Sequence, residues 1–233
     1  MLKLSWEYPT YQSQKSGTGS VAREMRHALT EQEAFRFIAG NDPRPLLVLR
    51  ECLVCNGTDD ALLSKGSDNE RTFLMSSWFH CVKLPVDVLE KDHPFYEIFG
   101  HDDPEHLFVA MADGSSKIML ESQTSRVELW DSMGEILSAS YRKDTQPIVK
   151  LVSKQFDRMD LLDSKLLDLK AKRNEALESD GLKSTKLEKI DAEMAQVSAE
   201  ITALKDDVAK ATKVELKSAE ELKADAHKAP AKR

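Results

Sequence analysis

The sequence predicts an α/β domain followed by a long antiparallel helical hairpin. Two observations favour the domain. Short apolar segments of strand length alternate with amphipathic segments of helix length, and a CxxC pair, Cys52 and Cys55, stands where the first strand gives way to a helix. A third observation favours the hairpin: residues 148–224 contain no proline and one glycine, and their apolar residues recur at spacings of three and four.

Charge is unevenly divided between these two parts. Of the 33 Lys and Arg and 40 Asp and Glu in the 233 residues, residues 1–145 hold 15 and 23, a net charge of −8, which leaves 18 and 17 for the rest, a net of +1. An acidic first part without a basic stripe argues against nucleic acid as the main partner. The densely charged, near-neutral second part is typical of a long exposed helix.

Three cysteines do not predict a disulfide-stapled secreted scaffold. The first residues lack the apolar core of a signal peptide, and no apolar stretch approaches the roughly 18 residues that a membrane span needs. We therefore expect a cytoplasmic protein without membrane contact, where a CxxC is more often redox-active or metal-binding than structural.

The first elements follow from local signals. Residues 1–29 are predicted to form an N-terminal arm that is docked, as its aromatic residues favour, or disordered. Thr30 and Glu33 fit a capping box that begins a helix, and residues 40–43 (Gly-Asn-Asp-Pro) end it. The apolar run over residues 46–49 then predicts a buried strand. The apolar face of the helix would consist of Ala34, Phe35, Phe37 and Ile38.

Beyond the CxxC, the pattern predicts a helix in two pieces over residues 58–79, a strand over 80–85 and an irregular helix over 87–99. Residues 107–111 and 117–120 form a predicted β-hairpin around an Asp-Gly-Ser turn. Either Thr124 or Ser125 can cap a last amphipathic helix, which carries the apolar residues Val127, Leu129, Trp130, Met133, Ile136 and Leu137.

This order of elements over residues 30–144 resembles the thioredoxin fold, a three-layer domain, with one helix before the first strand. The resemblance rests on Cys52 and Cys55 directly after the strand segment PLLVLR, and on the segment DPEHLFVAMADG. It implies that Pro104 is the cis proline that faces the dithiol and shapes the substrate surface.

The resemblance also implies a mechanism. Cys52 would attack a disulfide of a protein substrate as the thiolate, and Cys55 would resolve the mixed disulfide. No cofactor is needed beyond an external reductant or reductase. Because Glu51 precedes Cys52 and acidic residues follow Cys55, we expect a less acidic thiol than in oxidising members and hence a reducing dithiol.

Two other interpretations of the cysteines stay open. The first is a non-catalytic thioredoxin-like scaffold in which the pair is idle. The second is a zinc-stabilised adaptor, but no second CxxC exists and no metal site is assigned. Cys81 is interpreted as a buried small hydrophobe. The remaining ligand candidates would be His80, His93, His101 and His106.

Residues 147–225 are predicted to form the coiled-coil hairpin, reversing at Gly181, and residues 226–233 a disordered basic tail. The arm would be roughly 45–60 Å long. It would serve homo-oligomerisation or docking of a partner protein, or its helices would pack only on each other. Leu216 and Leu222 would extend past the first helix and contact another chain. The two seams consist of Ile148, Val152, Gln155, Met159, Leu162, Leu166, Leu169, Arg173 and Ala176, and of Leu187, Ile190, Met194, Val197, Ile201, Leu204, Val208 and Ala211.

Overall fold

The computed structural model of the chain describes residues 4–9, 29–51, 62, 69–91, 93–99, 106–120, 124–180 and 185–228. They form an α/β structure with a small four-stranded mixed sheet and mostly helices, two of them long. The chain divides into two units, residues 1–145 together with 215–233, and residues 146–214. The helices are α1 Glu31–Ala39, α2 Glu70–Ser76, α3 Tyr96–Phe99, α4 Arg126–Ser140, α5 Gln146–Asp180, α6 Thr185–Ala211 and α7 Ala219–Lys228.

The sheet of the first unit has the strand order β2-β1-β3-β4. Strand β1 is parallel to β2 and antiparallel to β3, and β3 is antiparallel to β4. All five residues of β1 are buried, as expected for a central strand that is covered on both faces. The strands are β1 Leu46–Arg50, β2 His80–Leu84, β3 Leu107–Ala110 and β4 Ile118–Leu120.

Helix α1 begins and ends where the sequence predicts. The backbone amide of Glu33 donates to Thr30 Oγ1 at 3.4 Å, and the amide of Thr30 donates to Glu33 Oε2 at 3.0 Å. Gly40 ends the helix with a φ of 55°. The predicted apolar face is buried except at Phe37, which is 38 % exposed and lies 5.7 Å from Phe95, ring centre to ring centre.

The other predicted elements of this unit are present with changed bounds. The second piece of the helix after the CxxC is α2, and it ends before Trp78 and Phe79. Of the first piece, the structure describes Leu62, which is buried in a turn, and the rest lies outside the described residues. The predicted helix over residues 87–99 is instead a 3₁₀ helix, Val86–Leu89, and the separate α3. Helix α4 is capped by Ser125, and its predicted face residue Val127 is 61 % exposed.

The predicted β-hairpin is confirmed, and its turn contacts the core. Val109 pairs with Ile118 across β3 and β4, and Gly114 lies in the turn with a φ of 83°. A Cβ at Gly114 would overlap the ring of Phe35, which is buried in the core below. Glycine is therefore required there for two reasons, its backbone conformation and the approach of the ring.

Residues 4–9 dock along the free edge of β2. The amide of Glu7 donates to the carbonyl of Cys81 at 2.9 Å, and the amide of Lys83 donates to the carbonyl of Glu7 at 2.8 Å. This agrees with the docking predicted for the aromatic arm as far as it is described; residues 10–28 lie outside the described residues.

Helices α5 and α6 form the second unit and pack along a shared apolar seam. The ion pairs between them run in opposite order along the two helices: Arg158 with Glu200, Lys165 with Glu193, and Arg173 with Asp191, each at 2.6–2.7 Å. The helices are therefore antiparallel. The buried seam consists of Leu162, Leu169, Ala176, Leu187, Ile190, Val197 and Ile201, with Leu166, Met194 and Leu204 partly buried.

The segment after α6 differs from the prediction of one second helix reaching residue 225. Helix α6 ends at Ala211, and Leu216 pairs in an antiparallel bridge with Tyr141 of the first unit. The side chain of Arg142 contacts Glu215 at 2.8 Å and Glu221 at 3.1 Å. Leu216 is thus paired within its own chain, and α7 is a separate helix of the first unit.

Within the described residues, no helix combines the length and apolarity that crossing a bilayer requires.

Candidate functional site

The predicted dithiol site is flanked by described residues on each side. Cys52, Cys55 and Pro104 themselves lie outside the described residues, so their geometry and the cis bond stay predictions. Glu51, at the carboxyl end of β1, is the last described residue before Cys52, and His106, at the amino end of β3, is the first described residue after Pro104. Because β1 and β3 are antiparallel, these two points lie at one end of the sheet.

Arg50 and His106 join these two points. The amide of Arg50 donates to the carbonyl of His106 at 2.7 Å, and Arg50 Nη2 lies 2.9 Å from His106 Nδ1. A guanidinium can only donate hydrogen bonds, so Nδ1 of His106 must be the acceptor in this contact. Arg50 is two residues before Cys52, and His106 is two residues after Pro104. The contact therefore links the two chain segments that carry the predicted site.

Arg50 is a buried cation, with 3 % of its surface exposed. A charged group is costly to bury unless hydrogen bonds replace its hydration, and Arg50 Nη1 also donates to the carbonyl of Glu51 at 3.2 Å. A fixed positive charge beside a cysteine favours the thiolate, which is the nucleophile in disulfide exchange. Arg50 thus places a buried positive charge two residues before Cys52 in the sequence.

Glu51, the residue directly before Cys52, has a cationic partner. Its Oε1 lies 3.2 Å from Lys83 Nζ, and its amide donates to the carbonyl of Leu84 at 2.8 Å. From its position in the sequence, the Glu51 carboxylate is expected to oppose a thiolate at Cys52. Because Lys83 lies beside it, part of that opposing field is compensated.

Cys81, the third cysteine, lies away from this end of the sheet, because it pairs with Leu47 near the amino end of β1. It lies on β2 with 5 % of its surface exposed, and its Sγ donates to the carbonyl of Ser76 at 3.5 Å. Burial raises the pKa of the Cys81 thiol to about 12. This agrees with its interpretation as a buried small hydrophobe, because a thiol that stays protonated is neither a nucleophile nor a metal ligand.

The described histidines occupy separate environments. His80 Nε2 lies 2.8 Å from Glu7 Oε2 at the edge of β2, whereas His93 Nδ1 accepts from the amide of Phe95 at 3.1 Å, and His106 contacts Arg50. His101 lies outside the described residues. In the part of the chain that the structure describes, no group of three or more His, Cys, Asp or Glu side chains is placed to hold a metal ion.

Sequence reasoning missed Arg50 and its contact with His106. The available signal was an arginine at the end of an otherwise apolar strand, immediately before the dithiol segment. Arginine is rarely fully buried unless it is paired, so its burial had to be seen in the structure.

Comparison of the chain with protein-family models, with curated proteins and with solved structures gives no match.

Proposed function

We propose that the first unit is a thioredoxin-like thiol–disulfide oxidoreductase that reduces disulfides of protein substrates. The observation that carries the proposal is the sheet order β2-β1-β3-β4 with a CxxC immediately after the carboxyl end of β1. This order, with one parallel and two antiparallel pairings, is the arrangement expected for the family that the sequence resembles. It brings the chain next to Cys52 and the chain next to Pro104 to the same end of the sheet.

The packing of the sheet supports a three-layer arrangement. Successive residues of a strand face opposite sides of a sheet. Leu46 and Val48 belong to one core cluster with α1 and α3, whereas Leu47 and Leu49 are buried outside that cluster. Helices α2 and α4 pack against each other, and we assign them to the second face.

The proposed reaction uses the two cysteines in sequence. The Cys52 thiolate attacks one sulfur of a substrate disulfide, which forms a mixed disulfide and releases the first substrate thiol. The Cys55 thiolate then attacks the Cys52 sulfur, which releases the second substrate thiol and leaves a Cys52–Cys55 disulfide. Two electrons pass to the substrate, and an external dithiol reductant restores the pair. A reducing compartment, the cytosol, is part of this proposal.

A redox titration of Cys52 and Cys55 tests the proposal. The protein is equilibrated in thiol buffers of defined potential, alkylated and analysed by mass spectrometry, and insulin reduction is measured in parallel. We expect a reversible two-electron transition in the reducing range of the thioredoxins, near about −270 mV. Cys52→Ser should abolish insulin reduction, and Cys81→Ala should retain it. The oxidoreductase proposal would be refuted if the folded protein showed no redox transition of Cys52 and Cys55, or if Cys52→Ser reduced insulin at the wild-type rate.

The second candidate function is a non-catalytic thioredoxin-like scaffold that is assembled through a coiled-coil hairpin. The second unit favours it, because α5 and α6 bury an apolar seam with heptad spacing and add interhelical ion pairs at its edges. The hairpin would then mediate homo-oligomerisation or contact a partner protein. Light scattering on the full chain checks the first of these: a mass near 26.2 kDa at micromolar concentration means a monomer.

A further inference from the structure

Two arginines from different helices approach the ring of Trp130. The Arg71 Cζ on α2 lies 4.4 Å from the ring centre, and the Arg126 Cζ on α4 lies 5.2 Å from it. The two guanidinium carbons are therefore less than 10 Å apart. All three side chains are half-buried, so each keeps surface in contact with solvent.

The ring that orients these cations is itself fixed. Trp130 Nε1 donates to Thr72 Oγ1 at 3.0 Å, and Arg126 Nη2 donates to Asn69 Oδ1 at 2.9 Å. The two hydrogen bonds join α2 and Asn69, the residue directly before it, to the first turns of α4. The cluster is thus a preorganised feature of two packed helices, and binding to it would order few additional side chains.

Arg71 has no ion-pair partner in the part of the chain that the structure describes. No carboxylate lies within ion-pair distance of its guanidinium among the described residues, and its Nε is buried without a hydrogen-bond acceptor. Arg71 belongs to residues 1–145, which have a net charge of −8, so carboxylates outnumber cationic side chains in this part of the chain.

The cluster lies at the end of the sheet from which the dithiol segment departs. Strand β4 runs parallel to β1, because each is antiparallel to β3. Its last residue, Leu120, is therefore at the same end as Arg50. Ser125, the N-cap of α4, follows five residues later, so the first turns of α4 lie near this end.

We propose that Arg71, Arg126 and Trp130 form a recognition surface for carboxylate side chains of an acidic polypeptide. The guanidinium forks match carboxylates in geometry and charge, and their contact with the indole ring holds the two cations close together. The partner is assigned as a client whose acidic residues flank its disulfide. That part of the inference rests on the proposed reductase function, whereas the binding surface does not.

Peptide binding tests the surface separately from catalysis. The Cys52→Ser/Cys55→Ser double variant of the full chain is titrated against fluorescein-labelled peptides with four consecutive Glu, Gln or Lys residues, by fluorescence anisotropy at low salt. We expect binding of the Glu peptide only. Arg71→Gln should weaken it by about threefold to tenfold, since a partly exposed charge contact contributes on the order of 1 kcal/mol.

The matched control is Lys143→Gln, which removes one exposed positive charge of the same unit away from Trp130. Arg71→Lys should give an intermediate affinity, because it keeps the charge and loses the planar fork. Thermal unfolding of each variant confirms that it is folded. Equal binding of Glu and Gln peptides, or equal effects of Arg71→Gln and Lys143→Gln, would overturn the proposal. A phosphoserine peptide that binds more than about tenfold tighter than the Glu peptide would overturn the assignment to carboxylates.

The client assignment has its own measurement. Wild-type protein reduces model peptides in which a disulfide is flanked by Glu or by Gln, and we expect a rate advantage for the Glu peptide that Arg71→Gln removes. If neither peptide is reduced, the reductase proposal fails and the binding result stands. If both are reduced equally, the client assignment fails and the reductase stands.

Discussion

Two hydrogen bonds join Arg50 to His106: the Arg50 amide donates to the His106 carbonyl at 2.7 Å, and Arg50 Nη2 donates to His106 Nδ1 at 2.9 Å. Arg50→Met should lower the rate at which iodoacetamide alkylates Cys52 at pH 7 by about threefold to tenfold, because the buried cation that favours the thiolate is gone. Arg50→Lys should restore most of the rate, since it keeps the charge. Mass spectrometry of the alkylated peptide gives the rate, and circular dichroism verifies folding. Equal rates in folded wild type and Arg50→Met would show that Arg50 has no electrostatic role at Cys52.

Cys81 should be unreactive in the folded protein. Its pKa is raised to about 12 by burial, whereas an unfolded cysteine ionises near about 8.5. The folded state therefore holds this proton more tightly, and the free energy of unfolding should fall as pH rises from about 8.5 towards 12. Tyr141, whose pKa burial also raises to about 12, adds to this loss above about pH 10.

Two measurements check this behaviour of Cys81. Alkylation at pH 8 followed by mass spectrometry should leave it unlabelled until the protein is unfolded by guanidinium. Urea titrations at pH 7.5 and 9.5 should show a smaller pH effect in Cys81→Ala than in wild type. Rapid labelling of Cys81 under native conditions would contradict its burial.

Gly114→Ala should destabilise the first unit far more than Gly40→Ala. Both glycines have a positive φ, 83° and 55°, so both substitutions carry a backbone cost of about 1–2 kcal/mol. Only at Gly114 does the new methyl group overlap the Phe35 ring, which adds about 1–3 kcal/mol; at Gly40 nothing lies within 4 Å. Chemical denaturation of the two variants isolates the steric part as their difference. Equal losses of stability in Gly114→Ala and Gly40→Ala would mean that the turn moves away from the Phe35 ring without a cost in free energy.

Leu162→Ala and Leu161→Ala provide a matched pair on α5. Leu162 is 4 % exposed within the seam, and Leu161, its neighbour in sequence, is 65 % exposed. Removing the buried side chain should cost about 2–3 kcal/mol, at the lower end for core leucines because the seam has only two helices. The exposed substitution should stay within about 0.5 kcal/mol. Urea unfolding followed by far-ultraviolet circular dichroism measures both. A cost for Leu161→Ala similar to that of Leu162→Ala would instead indicate that Leu161 is covered by a second chain.

The sequence predicts best those elements whose ends carry local chemical signals. The capping box at Thr30 and the Asp-Gly-Ser turn before β4 act within a few residues, so they can be recognised without knowledge of the rest of the fold. For α4 the sequence leaves Thr124 and Ser125 as alternative caps, and the structure selects Ser125. The seams of α5 and α6 are predicted for the same reason. A sustained apolar spacing specifies its own buried face.

Tertiary contacts determine the features that local signals in the sequence do not predict. Residues 212–218 contain neither glycine nor proline, so nothing local ends α6 at Ala211; the end coincides with the pairing of Leu216 with Tyr141. The candidate site shows the same limit. CxxC is a local motif, but Arg50 and His106 are 56 residues apart, and only the antiparallel pairing of β1 and β3 joins them.

The bridge between Tyr141 and Leu216 also constrains the order of events on the ribosome. The first unit includes Glu215 and α7, which are synthesised only after the whole of α5 and α6 has been made. Closing a loop of this length costs entropy that grows with the logarithm of the number of flexible residues. Once α5 and α6 have paired, few of those residues remain flexible. Prior pairing of the two helices should therefore accelerate the docking of α7 onto a nascent first unit.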